Sequence, residues 1–143
     1  MTIVVLDVNI LASAALNEHG TPARAFDMAL DTDVTLAVSK HILVKLNEVF
    51  GRPYFLAHLS SSGRDRVLRA LTLEREPVEP DQSVTGIAPD TEDDLVLGTA
   101  VAANAEYLVT GDKGLLAVGE YRGVRIVTAE EFLRELERSG ARQ

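Results

Sequence analysis

Short apolar runs alternate with amphipathic stretches along the whole chain. The runs at residues 3–6, 34–38, 107–109 and 124–127 are rich in Val, Leu and Ile. Continuous apolar runs of this length are typical of parallel strands that are buried on both faces. Residues 73–78, which include Pro77, predict a further strand between charged residues. The pattern therefore predicts four or five strands.

The stretches between these runs carry apolar residues at helical spacing and recognisable end signals. In the helix after the second strand, Ile42, Leu46 and Val49 share one face, Ser39 is the predicted N-cap, and Gly51 ends it. The other predicted helices are 9–16, 21–30 with Thr21 as N-cap and Pro22 at the first helical position, 60–71, 95–103, and a closing helix capped by Thr128 with Glu131 in a capping box.

Strands and helices that alternate in this way predict a three-layer α/β/α fold with a four- to five-stranded, mainly parallel sheet. No linker, repeat or low-complexity segment interrupts the 143 residues. We therefore expect a single domain over residues 1–143, of a size that buries a proper core.

Composition narrows the classes of function. The net charge is −8, whereas proteins that bind nucleic acid without specificity are usually basic. There is no cysteine, and the three histidines are not spaced as metal ligands. The chain has neither a signal-peptide pattern nor an apolar run near 18 residues, so we expect a cytoplasmic protein without a membrane span.

Two of the strands end in a carboxylate. Asp7 follows the first strand, with Asn9 two residues later, and Asp112 follows Thr110 after the strand at 107–109. Because ligands bind at the carboxyl edge of an open α/β sheet, we expect these side chains to lie together. A third acidic stretch, residues 90–94, precedes an apolar helical pattern. Acids gathered at one edge predict a divalent metal site.

The acidic stretch also has a purely structural explanation. Asp90 and Glu92 stand where they would cap a helix and interact favourably with its dipole, and we assign them that role. Asp93 is assigned to the metal site, and Asp94 is a further candidate ligand. Arg24, Lys40 and Arg52 could touch phosphate, although solvation at the surface explains each of them individually.

The ordered set of motifs resembles the PIN-domain family, in particular the VapC-like toxins of toxin–antitoxin pairs. The resemblance spans nearly the whole chain and rests on segments 5–11, 20–24, 48–55, 90–97, 107–113 and 126–133. It implies a metal-dependent ribonuclease that uses Mg²⁺ or Mn²⁺ to activate water against an RNA phosphodiester. It also implies an antitoxin partner and a homodimer.

Residue by residue, the resemblance assigns the catalytic carboxylates to Asp7, Asp93 and Asp112. Asn9 matches the polar residue that orients the first carboxylate, and Thr110 matches the hydroxyl beside the last. Mg²⁺ and Mn²⁺ are hard ions that prefer such oxygen ligands, and they can both generate hydroxide and bind the scissile phosphate.

The chain departs from the family pattern at two positions. Val8 stands where the family has Thr, and Lys45 stands where it has a metal-site Glu. Glu48 lies three residues after Lys45, on roughly the same helix face, and could supply a ligand from one turn away. Alternatively, the Lys45 ammonium occupies space and charge that a metal would fill.

Three classes of function therefore stay open. The first is the ribonuclease toxin. The second is a PIN fold that binds RNA or a protein with little or no catalysis, which Lys45 makes credible. The third is another Asp-based α/β enzyme, but a haloacid-dehalogenase-type phosphatase would need Asp at Asn9, and a receiver domain would need its Asp after the third strand.

Overall fold

The computed structural model describes residues 2–73 and 75–140. The strands in this part of the chain form one five-stranded sheet and are β1 (Thr2–Leu6), β2 (Val34–Ala37), β3 (Tyr107–Val109), β4 (Glu120–Tyr121) and β5 (Val124–Val127). Their order is β2-β1-β3-β5-β4, and only the β4–β5 pair is antiparallel. The predicted α/β class with a mainly parallel sheet is confirmed.

Eight helices surround the sheet within the described residues. They are α1 (Val8–Leu16), α2 (Thr21–Ala29), α3 (Lys40–Phe50), α4 (Pro53–His58), α5 (Ser61–Thr72), α6 (Thr91–Ala102), α7 (Lys113–Val118) and α8 (Ala129–Gly140). The short helices α4 and α7 and the edge strand β4 were not predicted from the sequence. Over these residues, no helix is both long enough and apolar enough to span a bilayer.

The two central strands carry the core. Val4 and Val5 of β1 and Leu108 of β3 are completely buried. Helices α6 and α8 contact β3 directly, and the ring of Phe132 meets that of Tyr107 edge-on with 5.7 Å between the centroids. Burial on both faces explains why these strands read as unbroken apolar runs.

Several predicted helix caps are confirmed. Ser39 accepts a hydrogen bond from the Ile42 amide, and Thr128 and Glu131 form the reciprocal capping box at α8. The N-cap of α2 was predicted wrongly as Thr21. Gly20 is the N-cap and caps without a side chain, so that Thr21 is already helical.

The strand predicted at residues 73–78 is wrong for the part that the structure describes, since Leu73 is in a turn and residues 75–78 form no regular element. Glu74 lies outside the described residues. Pro77 has no amide hydrogen for a ladder. The segment is attached instead by the Val78 amide, 2.8 Å from the Val38 carbonyl oxygen, and by the Arg75 guanidinium, 2.6 Å from that of Leu36.

Candidate active site

Two adjacent parallel strands bring Asp7 and Thr110 together. Leu6 of β1 is in register with Val109 of β3, and the Asp7 amide donates to the Val109 carbonyl oxygen at 2.9 Å. The Thr110 hydroxyl then donates to Oδ2 of Asp7 at 2.6 Å, while Oδ1 accepts from the Val8 amide at 2.7 Å. Asp7 is 5% exposed, so this buried carboxylate is fixed at both oxygens.

Asp112 is fixed to the same hydroxyl. Its amide donates to Thr110 Oγ1 at 3.0 Å, and its Oδ2 accepts from the Leu115 amide at 2.9 Å as the N-cap of α7. One threonine hydroxyl thus joins the ends of two strands and sets the position of both acids. The prediction that Asp7 and Asp112 lie at the same sheet edge is confirmed by this register.

Asp93 completes what we call the acid cluster, which consists of Asp7, Asp93 and Asp112. Asp90 caps α6 by accepting from the Glu92 amide, which places half-buried Asp93 in the first turn. Burial, followed by repulsion from Asp112 and Asp7, raises the pKa of Asp93 to about 7. Burial also raises the pKa of Asp7, and Asp112 adds to that shift. The three acids therefore share one electrostatic environment.

Gly114 allows the third acid to approach the other two. A Cβ atom at this position would lie 3.0 Å from Cδ of Pro89 and 3.1 Å from Oδ2 of Asp112. The loop that leads into α6 therefore rests directly on the first turn of α7. Only glycine leaves room for this contact without a shift of a neighbour.

A pocket of about 140 Å³ opens beside the acid cluster. It lies between the start of α1, one face of α3 and the first turn of α6. Its lining residues are Asp7, Val8, Asn9, His41, Lys45, Val49, Arg52, Glu92, Asp93 and Val96. Asp112 is outside this lining but lies against Asp93.

Lys45 faces this pocket, and two glutamates hold its ammonium group. Nζ lies 2.6 Å from Oε1 of Glu92 and 3.2 Å from Oε2 of Glu48. These contacts raise the pKa of Lys45, chiefly through the hydrogen bond to Glu92. Glu92 thus has an ion-pair partner in addition to its place at the helix N-terminus.

Asp94 is next to Asp93 in sequence but has quite different surroundings. It is 6% exposed, and its carboxylate accepts from the backbone amides of Gly86, Ile87 and Ala88 at 2.8, 3.2 and 2.8 Å. Three such bonds attach the preceding loop to the start of α6. A carboxylate engaged in this way has a structural role that explains its burial.

The other predicted site residues, Asn9 and Glu48, differ in whether they line the pocket. Exposed Asn9 lines the pocket, whereas exposed Glu48 lies outside the lining and pairs with Lys45. The sequence argument gave His41 no part in the site and explained Arg52, a possible phosphate contact, by surface solvation, although both line the pocket. The spacing of His41, Lys45 and Val49, four residues apart on one helix face, could have revealed the first of them.

The chemistry of the acid cluster fits a hard divalent cation. Its donors are carboxylate oxygens, and a cation would offset both the burial and the repulsion from Asp112 and Asp7 that raise the pKa of Asp93. As they stand, however, no three His, Cys, Asp or Glu side chains among residues 2–73 and 75–140 are arranged to hold a metal ion. The three carboxylates would have to be rearranged to share one.

Comparison with known proteins agrees with this fold. Uncharacterized protein MJ1680 of Methanocaldococcus jannaschii is 23% identical over 144 residues, which covers 94% of this chain and 92% of that protein. A chain in the crystal structure of VapBC2 from Rickettsia felis, bound to a DNA fragment from their promoter, superposes with a TM-score of 0.59 at 21% identity. The match covers 87% of this chain and 97% of that chain, and it shows a common fold.

The sequence itself identifies the family. The sequence profile of the PIN domain matches residues 3–114, which include Asp7, Asp93, Thr110 and Asp112. The protein belongs to the PIN-domain family.

Proposed function

We propose that the protein is a divalent-metal-dependent endoribonuclease and the toxin of a toxin–antitoxin pair. The observation that carries the proposal is the acid cluster: Asp7 and Asp112 share the Thr110 hydroxyl, and Asp93 lies against Asp112. PIN domains are generally metal-dependent nucleases, which supports a hydrolase that acts on nucleic acid.

In this proposal Asp7, Asp93 and Asp112 hold Mg²⁺ or Mn²⁺. The bound ion supplies activation of water and stabilisation of the charge that develops on the phosphodiester. Thr110 donates to Asp7 and so keeps the acceptor orbitals of that carboxylate in one orientation. Asn9 lines the pocket, and in this proposal it orients the Asp7 carboxylate, as the resemblance implies.

Partners follow from the same proposal. The substrate is RNA, and an antitoxin protein restrains the enzyme, which is supported by the fold shared with a chain of the VapBC2 complex. We also propose a homodimer in the cytoplasm. Light scattering of the purified protein measures the oligomeric state, and a monomer at micromolar concentration would contradict the dimer.

A cleavage assay tests the proposed activity. The parent should cleave single-stranded RNA internally in Mn²⁺ or Mg²⁺ and lose this activity in EDTA. Asp112→Asn should be inactive, whereas Asp65→Asn, at an exposed position on α5, should match the parent. Equal cleavage by the parent and Asp112→Asn would assign the activity to a contaminant or to another site.

A thermal shift separates metal binding from catalysis. An ion at one hundred times its dissociation constant stabilises the folded state by about 2.7 kcal/mol when the unfolded chain does not bind it. Mn²⁺ should therefore raise the Tm of the parent and of Asp65→Asn but not that of Asp112→Asn. An equal rise in all three proteins would place the ion elsewhere.

The ion pairs of Lys45 favour a second candidate, a PIN fold that binds RNA or a protein with little catalysis. The ammonium lines the pocket where the resemblance implies a carboxylate, so one ligand is missing. This candidate predicts RNA binding without cleavage in any metal, and the assay above distinguishes the two.

A further inference from the structure

The pocket has a basic side as well as an acidic one. His41 and Lys45 are one turn apart on α3, and Arg52 follows at the N-cap of α4; we call these three residues the basic wall. They line the same 140 Å³ as Asp7 and Asp93. Glu92 lines the pocket as well, so the side formed by α3 presents Lys45 and Arg52 together with one ion-paired carboxylate, whereas Asp7 and Asp93 present only acids.

Lys45 is held in place but is not saturated. Its ammonium group has three donors, of which Glu92 and Glu48 take two. The side chain is 28% exposed, so the group remains within reach of a ligand in the pocket. Because two carboxylates fix a flexible side chain at the pocket, less conformational entropy is lost when a ligand binds.

Arg52 offers a second set of donors. Within the described residues its guanidinium forms no ion pair, and the residue is exposed while it lines the pocket. A guanidinium has five N–H donors in a planar fork that matches the oxygens of a phosphate. Together with Lys45, whose charge Glu92 and Glu48 offset in part, it provides two cationic groups on one side of a small cavity.

A phosphodiester needs such groups in this protein. The chain has a net charge of −8, and the acid cluster repels an anion at the very place where the phosphate must come. Long-range attraction is therefore absent, and affinity must come from local contacts. The pocket side of α3 and the turn after it supply two of them.

We infer that Lys45 and Arg52 form a phosphate subsite that binds the backbone of single-stranded RNA without a metal ion. The identity of the ligand rests on the proposed function. On this inference, the presence of Lys45 where the family pattern has Glu does more than remove a metal ligand. It also means that part of the affinity for the substrate comes from the protein instead of from the metal ion.

Binding in EDTA tests the subsite separately from catalysis. The anisotropy of a labelled single-stranded RNA, and of DNA of the same sequence, is measured at several NaCl concentrations between about 50 and 200 mM. The proteins are the parent, Lys45→Gln and Arg52→Gln. Lys40→Gln is the matched control: although the sequence alone left Lys40 as a possible phosphate contact, the residue is exposed on α3 and lies outside the pocket lining, and the change removes the same charge.

Each subsite variant should bind RNA about fivefold more weakly at the lowest salt concentration. The slope of log K against log salt should fall by about 0.7, the value for one lost contact with a single strand. Lys40→Gln should keep the affinity and slope of the parent. DNA that binds as well as RNA indicates recognition of phosphate alone and also supports the subsite.

Three results would overturn the inference: a parent that does not bind RNA in EDTA, an equal loss in all three variants, and DNA that binds more tightly than RNA. The cleavage assay reports on the proposed function independently. If the parent binds RNA as expected but never cleaves it, the ribonuclease proposal fails and the subsite stands. If it cleaves RNA and neither subsite variant weakens binding, the reverse holds.

Discussion

The acid cluster and the basic wall form two sides of one pocket but are built differently. Backbone geometry fixes the acids: Asp7 and Asp112 lie at the ends of neighbouring strands, and Thr110 connects them. Long side chains form the basic wall, and Lys45 is placed by ion pairs to Glu92 and Glu48. The acid side is therefore rigid and tolerates few substitutions. In the basic wall, by contrast, residues can be replaced without disturbing the sheet.

The largest expected effect is on the rigid side. Asp7→Asn should lower Mn²⁺-dependent cleavage at least about 100-fold, since even the loss of an outer-shell partner of a metal ligand typically costs 10- to 100-fold. The fold should survive, because the amide oxygen of Asn can still accept from the Val8 amide and its NH2 group can donate to the Thr110 hydroxyl oxygen. Rates from gel assays at saturating metal measure the effect. Activity within a few-fold of the parent would remove Asp7 from the site.

Relief of the charge should at the same time stabilise that variant. Burial raises the pKa of Asp7, so the ionised carboxylate is unfavourable in the folded protein at neutral pH. Urea unfolding of Asp7→Asn in EDTA should give a midpoint at or above that of the parent. Opposite changes in activity and stability are typical of a functional residue kept in an unfavourable environment.

Substitution of Asp94 tests whether its contacts with the loop before α6 support the acid cluster. Asp94→Ala removes the acceptor for three backbone amides and should destabilise the protein by about 2–3 kcal/mol, measured by urea unfolding. Asp94→Asn can keep the bonds to Ile87 and Ala88 and should lose less. If Asp94→Asn also retains the Mn²⁺ thermal shift, Asp94 acts on the loop; if the shift disappears, it is a metal ligand as predicted from the sequence.

Asp93 and Asp94, which are neighbours in the sequence, show how much of the site the sequence could predict. Asp7, Thr110 and Asp112 could be found because an apolar run marks each strand end and parallel strands share an edge. Asp93 and Asp94 could not be separated by that argument, since their roles depend on which acid meets the loop at residues 86–88. Nothing in the local pattern around Asp93 specifies that contact.

The sequence indicated Lys45 and Arg52 as candidates, but it could not show that they and His41 line one pocket, for a similar reason. The helical spacing of α3 places His41 and Lys45 on one face, but only tertiary packing shows that this face borders the pocket. The ion pair between Lys45 and Glu92 joins residues 47 positions apart, and it involves an acid that local reasoning explained fully as a helix-terminal residue. Helix propensity and capping signals depend on neighbouring residues only, so they cannot predict such long-range pairs.

Replacement of Lys45 tests whether the positive charge in the basic wall weakens the binding of a metal ion by the acid cluster. Lys45→Glu supplies the carboxylate that the resemblance implies and changes the local charge by two units. It should bind Mn²⁺ about tenfold more tightly in a calorimetric titration, with faster cleavage, while Lys45→Ala should change less. A parent as tightly bound to Mn²⁺ as Lys45→Glu would show that Lys45 does not oppose the ion.

The smallest expected effect is a pH dependence on the acid side. The folded-state pKa of Asp93 is about 7, against 3.8 for the ordinary carboxyl group. The folded protein therefore holds a proton that the unfolded chain has lost between these pH values, so the contribution to stability is full below about pH 4 and declines as the pH rises to 7.

Asp93→Asn cannot ionise and should lack this decline. In EDTA it should match the parent near pH 3 and exceed its stability at pH 8 by about 1 kcal/mol, well below the roughly 4 kcal/mol of the full shift, because solvent screens a half-buried carboxylate. Asp65→Asn, on the exposed face of α5, should follow the parent at both pH values. A difference between Asp93→Asn and the parent that is the same at both pH values would mean that neither burial nor the neighbouring acids raise the pKa of Asp93, and the acid cluster would then lack the mutual repulsion that makes it a site for a cation.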